Sequence, residues 1–109
     1  RCCDEFKWGD ELEYLLVSAP PDSRSAHLSL RALEIQQTVH RLMQQPSPLL
    51  TADADKITVH PEYGSFMIEA TPKHPYGDTI ESLLNVERNM YCRKLGIQQA
   101  LKPHEYLLP

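Results

Sequence analysis

Two short stretches of the chain concentrate carboxylates. In "WGDELEY", residues 8–14, Asp10, Glu11 and Glu13 fall within four positions, and in "HPEYGSFMIEATP", residues 60–72, Glu62 and Glu69 stand seven apart around Pro61 and Gly64. If the first stretch is a strand, its side chains alternate: Glu11 and Glu13 share a face roughly 6–7 Å apart, and Asp10 points the other way. At an effective dielectric near 20, two carboxylates about 6 Å apart repel by roughly 2–3 kcal/mol. Either water screens that repulsion on an exposed face, or a cation sits there. Hard divalent ions take carboxylate oxygens and keep positions open for substrate phosphates, so a magnesium platform is the chemistry this pattern can perform. On an unbroken strand, Glu62 and Glu69 would lie on opposite faces about 23 Å apart. They join one site only if the chain bends between them, and Pro61 and Gly64 supply a place for the bend, since glycine admits backbone angles other residues avoid. Taken one at a time, each of these glutamates reads better as a solvated surface charge than as a metal ligand.

Glu87 is the other carboxylate of interest. It falls four residues after Leu83 and four before Tyr91, in an apolar stripe, which predicts a buried carboxylate serving as a hydrogen-bond anchor or facing substrate. Cys2, Cys3 and Cys92 are odd in number and without CxxC spacing, and the five histidines never fall at i, i+4 on a helix. Neither a disulfide framework nor a zinc site is indicated, and the cysteines read as reduced thiols, with Cys92 packing on a helix.

Elements that would position these residues follow from periodicity. "KWGDELEYLLV" (7–17) reads as a strand, broken at Pro20-Pro21-Asp22, with "AHLSL" as a short returning strand. Ala32, Ile35, Val39, Leu42 and Met43 recur at three and four, predicting a helix over about 31–45 that "PSP" ends. "LLTADAD" is a loop. "KITVH" and "SFMIEA" alternate as strands around Pro61–Gly64, and Asp78 with Glu81 resembles a capping box opening a last helix over about 79–101, with a disturbance expected at Gly96. The order predicts an α+β fold: an antiparallel sheet with flanking helices.

Composition narrows the function classes. A chain of 109 residues is one segment with one modest core, and its 15 acidic against 11 basic side chains give a formal charge of −4. Lys and Arg are scattered, which argues against nucleic acid as a partner and against a magnesium-dependent nuclease. Apolar runs fall short of the roughly 20 residues of a membrane span, so a cytoplasmic protein is expected.

The motifs "WGDELEY", "HPEYGSFMIEATP", "HPYG" and "NVERNMYCRK", in this order and spacing, resemble the amino-terminal part of eukaryotic glutamate–cysteine ligase catalytic subunits over about residues 6–95. The resemblance implies an incomplete amino-terminal part of a larger catalytic domain, with a glutamine-synthetase-like carboxylate–amine ligase fold. It implies ATP-dependent joining of the L-glutamate γ-carboxylate to L-cysteine through a γ-glutamyl phosphate, the first step of glutathione synthesis. By the same resemblance Glu13, Glu62 and Glu69 hold one magnesium ion and Glu11 serves another, while most of the ATP site lies outside these residues. Glu87 gains no catalytic role from it, residues 18–25 and 44–55 match poorly, and a regulatory subunit is a further implied partner. The isolated segment is expected to bind magnesium weakly and not to turn over. The alternative is a non-catalytic acidic binding module or pseudoenzyme of the same fold.

Overall fold

A computed structural model of the chain describes residues 4–45 and 57–109. Seven elements follow in order: β1 (Leu12–Ser18), β2 (His27–Leu28), α1 (Ala32–Met43), β3 (Ile57–Pro61), β4 (Met67–Pro72), α2 (Ile80–Ala100) and β5 (Glu105–Leu108). The strands form one antiparallel sheet in which β4 lies between β3 and β1, and β1 also pairs with β2 and β5. The expected α+β arrangement is therefore present. Leu16 explains how one strand serves three partners. Its N–H donates to the Phe66 carbonyl and its carbonyl accepts from the Ser29 N–H, both at 2.8 Å. A residue's N–H and C=O point to the same side of a strand, so β4 and β2 share one edge of β1 in succession and β5 takes the other.

β5 is an element the sequence reading did not contain. Four residues between Pro103 and Pro109 carry too little alternation to be read alone, and the strand exists because β1 offers it an open edge, pairing Leu16 with Leu107 and Ser18 with Glu105. The turn into it places His104 at φ 68°, in the left-handed region. The loop predicted over 49–55, and Cys2 and Cys3, lie outside the described residues.

The inner face of the sheet carries Leu16, Val59, Ile68 and Ala70, and both helices cover it, with Ala32, Ile35 and Val39 of α1 and Ile97 and Ala100 of α2 completing the core. α1 buries Ala32, Ile35 and Val39 of the predicted stripe, and Leu42 and Met43 are half-buried. α2 begins one residue later than the capping-box reading placed it: the Thr79 hydroxyl, not Asp78, accepts from the Ser82 N–H at 3.1 Å. Gly96 does not disturb the helix. A Cβ there would meet Ile57 Cδ1 at 3.5 Å, so the missing side chain lets α2 settle close on β3.

The predicted buried face of α2 is the wrong one. Ile80, Leu83, Leu84 and Tyr91 are exposed, and Glu87 is exposed with them, so it anchors nothing in the core. The helix instead buries Asn89, Arg93, Gly96, Ile97 and Ala100. Arg93, with 0% of its side chain exposed, decides the orientation. Its guanidinium donates to Asp10 Oδ1 and Oδ2 at 2.8 and 2.7 Å and to the Ala70 carbonyl at 2.8 Å, with the Tyr76 hydroxyl at 3.4 Å. A helix that must bury a guanidinium turns toward the carboxylate and carbonyls that satisfy it, and Ile80, Leu83, Leu84 and Tyr91 are left outside. Removing one partner of such a pair leaves an uncompensated buried charge. Asp10→Ala is therefore expected to cost roughly 3–5 kcal/mol in urea unfolding, and adding Arg93→Met to recover part of that loss.

A second network ties β5 to α1. Glu105, whose side chain is 6% exposed, accepts from Arg31, from the Ser29 hydroxyl at 2.8 Å and from the Lys102 N–H at 2.7 Å, and Arg31 also grips Glu34 at 2.7 and 2.8 Å. Burial pushes the Glu105 carboxyl up, but the donors around it outweigh burial and hold it below the ordinary carboxylate value. A carboxyl depressed in the fold contributes stability that is present above its unfolded value, about 4.3, and lost as pH falls through its folded value. Urea midpoints measured from pH 7 down to pH 3 are expected to fall across that window. Glu105→Gln is expected to be less stable at pH 7 and to lose less on acidification.

Candidate functional site

The outer face of the sheet is covered by neither helix, and strand parity gathers the predicted carboxylates there. Glu13 lies directly opposite Glu69 across β1 and β4, and Glu69 directly opposite His60 across β4 and β3. Side chains so paired have Cβ atoms roughly 4.5–5.5 Å apart. Glu11 just precedes β1 and has the parity of Glu13, and Glu62, just past β3, has the parity of His60.

The bend that the second motif required is the hairpin from β3 to β4. Glu62 N–H donates to the Met67 carbonyl at 3.1 Å, and Met67 N–H to the Gly64 carbonyl at 3.0 Å. Gly64 serves this turn differently from expectation. Its φ is not positive, and what it supplies is room: a Cβ there would stand 2.6 Å from the Phe66 ring. The Glu62 carboxylate folds back to accept from the Tyr63 N–H.

Glu69 registers the field of the whole group. Partial burial raises its carboxyl first, Glu11 next, and Glu62 and Glu13 add to the rise, while His60 opposes it. All four predicted glutamates therefore act on one electrostatic neighbourhood. They do not form a closed cage: among the described residues, no three His, Cys, Asp or Glu side chains are drawn together closely enough to hold a metal ion. The donor set nevertheless fits a hard divalent cation. It is all carboxylate, three of the four side chains are exposed and able to swing, and the repulsion raising Glu69 is what a cation would relieve.

Two contacts fix the segment that carries Glu11. Trp8 and Tyr76 exchange backbone hydrogen bonds at 3.0 and 2.7 Å, and the Trp8 Nε1–H donates to the Gly77 carbonyl at 3.0 Å with the rings 4.8 Å apart. Asp10 turns inward to Arg93, as its parity predicts, so its neighbour Glu11 must turn outward. Beside Glu11 an open cleft of about 550 Å³ is lined by Trp8, Gly9, Thr71 and Lys73 among others. A separate apolar groove runs between Leu12 and Tyr14 of β1 and Val86, Met90 and Tyr91 of α2.

Arg93 and His60 went unnoticed in the sequence. His60 could have been found by period two, since it stands two before Glu62. Arg93 had no such signal, because the apolar stripe of α2 pointed to the opposite face.

Fold and face together define an α+β protein whose bare antiparallel sheet presents carboxylates suited to a hard cation. The family model for glutamate–cysteine ligase matches residues 1–109. A glutamate–cysteine ligase of Candida albicans is 37% identical over 106 residues, covering 96% of this chain and 15% of that protein. The glutamate–cysteine ligase catalytic subunit of Mus musculus is 36% identical over 104 residues, covering 95% of this chain and 16% of that protein. A glutamate–cysteine ligase of Saccharomyces cerevisiae is 37% identical over 91 residues, covering 84% of this chain and 12% of that protein. The chain belongs to the glutamate–cysteine ligase family. It spans 15–16% of the length of the first two relatives. Among the described residues no helix is long and apolar enough to cross a membrane.

Exchanging Glu11 for Gln removes the largest charge acting on Glu69. The Glu69 carboxyl is expected to titrate at lower pH in Glu11→Gln than in the parent chain, followed by carbon-detected NMR.

Proposed function

We propose that this chain supplies the magnesium-binding carboxylates of an enzyme that joins the γ-carboxylate of L-glutamate to L-cysteine at the expense of ATP, giving γ-glutamylcysteine in the cytoplasm. One observation supports this above others: Glu13 faces Glu69 on adjacent strands, with Glu11 and Glu62 near enough to raise the same carboxyl. Glu13, Glu62 and Glu69 would hold one magnesium ion and Glu11 would serve a second. Bound magnesium offsets the negative charge that builds up as a phosphoryl group passes to a carboxylate, and orients two anions that otherwise repel.

The contribution of the chain itself is positional. The paired strands fix where Glu13 and Glu69 stand, and the hairpin brings Glu62 beside them. The Asp10–Arg93 pair sets the outward turn of Glu11, and His60 sits at the end of the row as the cationic or hydrogen-bonding neighbour of Glu69. None of the four glutamates needs to act as nucleophile or base. The sheet belongs, in this reading, to a glutamine-synthetase-like fold whose remaining parts bring the rest of the ATP site and the basic groups for the amino acids, and a regulatory subunit can join the complete enzyme. The isolated 109-residue chain is then inactive, because most positioning groups are missing.

The test is magnesium-dependent formation of γ-glutamylcysteine by the full-length protein. Even residues one step removed from a metal are worth 10–100-fold, so Glu13→Gln and Glu69→Gln are each expected to lower it by roughly 100-fold or more. Near-normal rates at saturating magnesium would refute the reading.

A further inference from the structure

Resting on the reading that Glu11 serves a metal ion, we propose that Lys73 and the cleft beside Glu11 form a subsite for an anionic oxygen group of a substrate, either a phosphoryl group or a carboxylate. The register that pairs Leu12 with Ala70, continued outward, sets Glu11 across from Thr71 and Gly9 across from Lys73. Gly9 projects no side chain, and this leaves the cleft of about 550 Å³ open between Trp8, Glu11, Thr71 and Lys73. The walls are held before any ligand arrives. Trp8 is fixed through its backbone, its Nε1–H bond and its ring contact with Tyr76, and Asp10 is committed to Arg93.

The cleft joins charges that do not satisfy each other. Lys73 enters none of the ion pairs formed among the described residues, and it lines the same cleft as Glu11. An anion approaching this face meets four carboxylates, so it needs positive charge on more than one side. A cation at Glu11 supplies one and the Lys73 ammonium the other, with the Thr71 hydroxyl as a neutral donor. Lys73 thus orients an anionic group beside the metal without itself reacting.

The experiment uses the full-length protein with magnesium present, titrated calorimetrically with inorganic pyrophosphate and, separately, with L-glutamate, alongside steady-state rates. Lys73→Met is expected to weaken one of the two probes by about tenfold, the scale of one charge-assisted hydrogen bond. The KM of the matching substrate should rise with it while kcat stays within about twofold. Lys73→Arg should restore both. Weakened pyrophosphate identifies a phosphoryl subsite and weakened glutamate a carboxylate subsite, and either supports the proposal. Unchanged affinity for both probes overturns it, as does a loss that Lys73→Arg fails to restore. Glu13→Gln separates the two levels. If it abolishes magnesium dependence while Lys73→Met changes nothing, only the subsite falls, and if it leaves magnesium dependence intact, the metal reading falls first.

Discussion

The buried pairing of Arg93 with Asp10 is the interaction on which the rest of the molecule hangs. It joins the middle of α2 to the segment leading into β1, and through the Ala70 carbonyl it reaches β4 as well. A guanidinium removed from water demands nearly complete hydrogen bonding, so its partners have little freedom. Helix, first strand and fourth strand are consequently locked in one relative position. Because Asp10 is drawn inward, the alternation of the strand sends Glu11 and Glu13 outward, and the carboxylate face is arranged by an ion pair on the other side of the sheet.

That face is built against its own electrostatics. A sheet that crowds four glutamates together gives up local stability: the Glu69 carboxyl is raised first by burial and then by its acidic neighbours. Rigid strands keep the backbone positions, while exposed side chains retain freedom to close on a cation. Strand parity divides the sheet: one face holds Leu16, Val59, Ile68 and Ala70 as core, and the other carries the clustered carboxylates.

Much of this was legible in the residues. Period-two alternation revealed β3 and β4, a compact apolar run revealed β1, and spacings of three and four gave α1 nearly to its ends, because those elements bury one continuous apolar side. The glutamate motifs could be read, but not their meeting: the long-range pairing of β1 with β4 sets Glu69 opposite Glu13, and the β3–β4 hairpin sets it opposite His60. β5 was invisible, since its pairing depends on an edge supplied by a strand almost ninety residues earlier. α2 was misjudged for the opposite reason. Its apolar residues made a persuasive stripe, yet the hydrogen-bonding demand of Arg93 outweighed their burial and left Glu87 in water.

The place of β1 has a consequence for how the chain is made. Of its partners, β2 follows closely in the chain but β4 and β5 are synthesised long after it, and among the described residues its lead-in is fastened by Tyr76, Gly77 and Arg93. As the polypeptide leaves the ribosome, β1 emerges well before the strands that complete its pairing, and until Leu108 is clear of the exit tunnel the edge that β5 takes stays unpaired.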